Sequence, residues 1–178
     1  MNEKDMIQLA MREGFSAVAL MDVKDIVIDP MFRPFCEENL CGHYGANYTC
    51  PPDCGSVEEM RARLLSHERA LVFQTKWPIS DYTDKQAIKE AKGFHNAAML
   101  KVISALEDEG YSGLMAGASC CTLCESCALK NNVPCKFPEI RWSCLSAYCI
   151  FVRKLAESCG MDYSCDDGSL AFFGLYAF

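Results

Sequence analysis

The sequence predicts an α/β chain of the α+β type: a single mixed β-sheet with packed helices and two cysteine-rich metal-binding loops. Three observations predict it. Short apolar runs alternate with amphipathic stretches in the order α-β-β-α-β-α-β-α-β. No Gly-, Ser- or Pro-rich linker divides the 178 residues, so residues 1–178 read as a single domain. Eight of the thirteen cysteines fall into two groups of four, in loops at 36–54 and 120–138.

Residues 3–13 carry Met6, Leu9, Ala10 and Glu13 at helical spacing, with Gly14 as the stop. Residues 15–21 (FSAVALM) and 25–29 (DIVID) read as strands around a polar turn. Pro30 and Pro34 then open an irregular stretch. Ser56 and Glu59 match a capping box, so a helix starts there. Residues 70–76 (ALVFQTK) form a buried strand. Asp84 to Glu109 is a long helix with Ile88, Ala91, His95, Met99, Val102 and Leu106 on one face, closed by Gly110. Residues 112–118 form a strand that runs into the second cysteine group. Ser143 to Ser158 is expected as a helix whose inner face holds Leu145, Tyr148, Cys149, Val152, Ala156 and Cys159. SLAFFGLYAF closes the chain as a strand. The cysteine loops are expected where loops follow strands, at one end of the sheet.

The first cysteine group is Cys36, Cys41, Cys50 and Cys54, with gaps of four, eight and three residues. The second is Cys121, Cys124, Cys127 and Cys135, with gaps of two, two and seven. Thiolates this dense are bonded to each other or to metal. No basic start followed by an apolar stretch marks a secretory signal. No run of about 18 apolar residues offers a membrane span. A cytoplasmic location is therefore expected, where thiols stay reduced and cysteine clusters bind metal or do chemistry. With 51% hydrophobic residues the chain can build a core without staples. Its net charge of −7 and the lack of a Lys/Arg stripe exclude nucleic acid as a partner class.

The paired two-residue gaps of the second group resemble the bacterial ferredoxin run. Three thiolates on one tight loop reach three corners of a cubane, and Cys135 reaches the fourth. Two separated CxxC pairs are the commoner zinc pattern. The first group is looser and leaves iron and zinc open. There Pro51 and Pro52 fix the chain as it leaves Cys50, and Gly42, Gly45 and Asn47 offer amides that could point at cluster sulfides. Pairing by sequence order is an assumption, because a cysteine near one cluster can ligate the other.

Cys120, Cys144, Cys149, Cys159 and Cys165 remain. Cys149 and Cys159 read as small apolar core residues. Cys120 can exchange roles with Cys121, and Cys144 is a reserve ligand. His43, His67 and His95 have no CxH or HxxxH partner and read as loop, surface and helix-face residues. Arg141, just after the second group, is placed to favour a reduced cluster or to form an ordinary ion pair.

RPFCEENLCGHYGANYTCPP and CTLCESCALKNNVPCKFPEIRWSCLSAY resemble the DUF2284 family of predicted metal-binding proteins, and the resemblance spans most of the chain. It implies metal binding, and a family found largely in anaerobes. The family usually reads RPSMEAxGIDV where this chain reads RWSCLSAYCIFV. Ser146 stands for a usual Glu, Cys149 for a usual Gly and Phe151 for a usual Asp. The new thiols Cys144 and Cys149 make an altered metal site conceivable.

The expected function is electron transfer by two 4Fe–4S clusters, to or from a redox partner protein. One alternative is a zinc-stabilised interaction module. Another is a cluster enzyme or reductive activator with one open iron position.

Overall fold

The computed structural model describes residues 1–178. Five strands form one mixed sheet in the order β1-β2-β5-β3-β4. β1 (Ala17–Asp22) pairs antiparallel with β2 (Arg69–Trp77), from Ala17 opposite Gln74 to Asp22 opposite Arg69. β2 pairs antiparallel along its length with β5 (Leu170–Ala177), from Ala70 opposite Ala177 to Trp77 opposite Leu170. β5 takes β3 (Leu114–Gly117) on its other edge, again antiparallel. β4 is only Ser143–Cys144, parallel to β3 with Gly117 opposite Cys144.

β2 and β5 are the central pair, which is why both read as nearly continuous apolar runs. Alternation along β2 divides the core. Ala70 and Val72 pack with Met60 and Leu64 of α3 (Val57–Leu65), and with Leu145, Tyr148, Ile150 and Leu155. Leu71 and Phe73 pack on the opposite face with Met6 and Ala10 of α1 (Glu3–Arg12), and with Met99, Val102 and Leu106 of α4 (Lys85–Asp108). α1 is capped by Asn2, whose side chain accepts from the Asp5 amide at 3.0 Å. α3 carries the expected capping box: Ser56 Oγ accepts from the Glu59 amide and Glu59 Oε2 from the Ser56 amide. The remaining helices are short, α2 (Arg33–Glu37) and α5 (Val152–Ser158).

Two expected elements differ. Residues 25–29 are not a strand: Val23–Asp25 forms a 3₁₀ turn, and only Ile28 bridges, to Ile150. Pro30 follows at once, and the Asp29 amide is held by the Cys149 carbonyl at 2.9 Å. The helix expected over 143–158 begins only at Val152. Cys149 takes φ +54°, a left-handed conformation that no right-handed helix can include. Its apolar spacing reflects a tightly wound turn: Leu145, Ala147, Tyr148, Cys149 and Ile150 are all buried.

The first cysteine loop does not follow a strand directly: two 3₁₀ turns and α2 lie between β1 and Cys41, whereas the second follows β3 at once. The exit of β3 is fixed from α4. Asn96 Oδ1 accepts from the Ala118 amide at 2.9 Å, and its Nδ2 donates to Ser119 Oγ at 2.9 Å. Trp142 Nε1 donates to the Ser119 carbonyl at 3.0 Å. Gly117 is required there, since a Cβ would lie 2.7 Å from Asn96 Oδ1 and 2.8 Å from the Trp142 ring.

His95 is wholly buried under β5, with Nδ1 2.8 Å from Thr75 Oγ1. Burial lowers its pKa to about 3. An unfolded chain protonates the ring below about 6.5. Between these values the unfolded state binds the extra proton, so stability falls as pH drops. In urea unfolding from pH 6.5 down to pH 4, the native protein should lose up to about 1.4 kcal/mol per pH unit more than a His95→Gln variant. Parallel declines would contradict this placement.

Candidate metal centre

All thirteen cysteines are free thiols. Cys36 lies on α2, one helical turn after Arg33, so both side chains face the same way. Arg33 crosses the loop, donating to the Gly55 carbonyl at 3.3 Å and the Ala147 carbonyl at 2.9 Å. Its Nε has no partner. The guanidinium is held against the thiols of Cys149 and Cys54 and acts on Cys36. Burial raises the Cys36 thiol pKa and Arg33 opposes the rise.

Asn39, at φ +54°, turns the loop with its side chain accepting from the Tyr44 amide. The amides expected to face a cluster are used within the loop instead: Gly42 donates to the Asn39 carbonyl and Gly45 to the Pro51 carbonyl. The Pro51–Pro52 bond is cis. Cys50 and Cys54 are buried at the end of this loop, whereas Cys41 is exposed at its tip.

The structure does not keep the two cysteine groups separate. Asn47 and Thr49, 6% and 3% exposed, join the loops. Asn47 Nδ2 donates to the Cys121 carbonyl at 3.1 Å, and Asn47 Oδ1 accepts from the Thr49 amide and hydroxyl. Thr49 Oγ1 accepts from the Cys121 amide at 3.2 Å. Tyr48, between them, donates to the Val133 carbonyl at 2.9 Å. Arg141 stacks over the Tyr48 ring at 5.5 Å, so it braces this joint from outside.

This joint brings buried Cys120 onto Cys50. The neighbouring Cys120 thiol, then burial, raises Cys50, while Cys50 in turn lowers Cys120, helped by nearby Lys92. Cys144 stands beside both. Burial pushes its thiol up to about 11, opposed by the nearby amides of Ala147 and Ser146. Cys36 reaches the same turn, its Sγ donating to the Ser146 carbonyl at 3.9 Å. Cys54 is set differently. Its thiol is raised by burial and opposed by Arg33 and Arg63, and Arg63 donates to its carbonyl at 2.9 Å.

In the second group, burial raises the Cys121 thiol, and the nearby amides of Leu123 and Trp142 oppose the rise. Cys135 lies close enough to act on it. Cys124 and Cys127 are half-buried on the same loop. Among the other cysteines, Cys159 donates to Met21 Sδ at 3.7 Å. No group of three or more His, Cys, Asp or Glu side chains stands ready to hold a metal ion. The donor set nevertheless fits a thiolate-bound metal in kind: free thiols on two joined loops, and a guanidinium with an unpartnered Nε beside them.

The family model for DUF2284, described as predicted metal-binding protein, matches residues 19–176. The chain belongs to the DUF2284 family. No curated protein and no solved structure matches it. In this DUF2284 protein both cysteine loops and the joint between them lie inside the matched region. Cys149 lies within it too, in a left-handed backbone that glycine adopts most readily.

Sequence spacing could not reveal Arg33, Asn47, Thr49 or the Cys50–Cys120 contact, although Arg33 at three residues before Cys36 was a local signal. Asn47→Ala removes the partner of the Cys121 carbonyl and of both Thr49 donors. It should cost about 1–3 kcal/mol and speed hydrogen exchange in residues 119–135 as well as 36–54. Faster exchange confined to 36–54 would contradict the joint.

Proposed function

We propose that this protein is an iron–sulfur protein that holds two 4Fe–4S clusters and passes single electrons to or from a redox partner. One observation carries the reading. Three thiols at two-residue gaps share one loop, and Cys135 lies close to Cys121. Cys121, Cys124, Cys127 and Cys135 would hold one centre, and the thiols gathered around Cys50 the other. A bound cluster supplies one-electron redox chemistry.

The chain's own residues would do the rest. Arg33 and Lys92 offset negative charge at the buried thiols. Leu145, Tyr148 and Ile150 exclude water from beneath them. Exposed apolar side chains flank both loops: Phe35 and Leu40 by the first, Phe137 and Ile140 by the second. They offer a surface on which a redox partner can dock.

A second reading, a cluster enzyme, is favoured by one feature. A cavity of about 450 Å3 is lined by Ala118, Leu145 and Ser146, close in the chain to Cys120 and Cys144, and by Lys92, Tyr163 and Cys165. A small anionic substrate could enter there.

Anaerobic purification followed by metal and sulfide analysis tests the proposal. About eight irons and eight acid-labile sulfides per chain are expected, with a broad visible absorbance that dithionite bleaches reversibly. Colourless protein holding zinc would overturn the electron-transfer reading and leave the zinc-stabilised module.

A further inference from the structure

The two loops meet so closely that ligation by sequence order is not the arrangement the fold favours. We propose that the first centre draws its thiolates from three segments: Cys36 and Cys50 of the first loop, Cys120 at the exit of β3, and Cys144 of β4. Cys41 and Cys54 lie outside it. The proposal rests on the metal-binding reading above and names its ligands.

Placement carries the argument. Thr49 and Asn47 grip both polar groups of the Cys121 backbone, which sets Cys50 and Cys120 side by side. Gly117 lies opposite Cys144 in the parallel pair, and the Leu145 amide donates to the Gly117 carbonyl at 3.1 Å. That register sets Cys144 close to Cys120, three residues beyond Gly117. Cys36 donates to the Ser146 carbonyl, which anchors α2 on the turn after β4. The Ala147 amide donates to the Cys144 carbonyl at 3.0 Å, which closes that turn tightly after β4.

Cys41 and Cys54 also stand near Cys36, and Cys41 near Cys50, but each is set apart by its exposure or its own partner. Cys41 is exposed at the loop tip. Cys54 is buried among Val23, Met60 and Tyr148 in the core, with its thiol donating to the Gly55 carbonyl at 3.8 Å. Cys121, next in sequence to Cys120, turns instead to Cys135. Adjacent residues would therefore serve different centres.

Single Ser variants of Cys120, Cys144, Cys41 and Cys54, purified without oxygen, test the assignment by iron and sulfide per chain. Cys120→Ser and Cys144→Ser should each halve the iron, from about eight to about four. Cys41→Ser and Cys54→Ser should retain the full complement. The reverse pattern overturns the assignment. If the native protein carries zinc, the iron–sulfur reading fails, and loss of one zinc in the same two variants still decides the ligands. Protein without metal overturns both. A second measurement does not depend on variants folding. In metal-free native protein, diamide takes two electrons and two protons from a pair of adjacent thiols. Peptide mapping should find the Cys50–Cys120 disulfide, and a Cys50–Cys54 disulfide would overturn the proposal.

Discussion

The Asn47 carboxamide is the constraint on which the rest of the site depends. It is a buried amide, so it is costly if left unpaired and specific when satisfied. One end binds the Cys121 carbonyl and the other gathers Thr49, which returns to the Cys121 amide. Through these bonds the two cysteine loops become one unit. Remove them and Cys50 has no reason to meet Cys120.

The sheet supports this unit from below. Asn96 of α4 and Trp142 fix residues 118 and 119 as the chain leaves β3. Gly117 permits the close approach. The turn after β4 packs Leu145 and Tyr148 into the core while its carbonyls receive Cys36 and Arg33. The same short segment thus belongs to the core on one side and to the thiols on the other. That double duty accounts for the left-handed Cys149, since a continuous helix there would withdraw Ser146 and Ala147 from the site.

Much of the fold was legible because its signals are local. The alternation in β2, the apolar face of α4 and the Ser56–Glu59 box each depend on residues a few positions apart. Residues 143–158 misled because burial at helical spacing does not distinguish a helix from a wound turn, and Cys149 hides a conformation for which glycine is the usual signal. DIVID misled because Pro30 and a bond to Cys149 decide its path. The cysteine motifs pointed to metal binding, in accord with the family to which the chain belongs. Which thiols approach one another was not legible, because Cys50 and Cys120 are 70 residues apart and only the Asn47–Thr49 joint brings them together.

The central claim is that the two centres are neighbours, since Cys120 and Cys121, with α-carbons about 3.8 Å apart, turn to different thiol sets. EPR spectroscopy of the fully reduced protein measures this directly. Neighbouring centres should give a spectrum broadened and split by magnetic coupling, which simplifies when reduction is limited to one electron per chain. Two independent signals that simply add, at every level of reduction, would contradict the account.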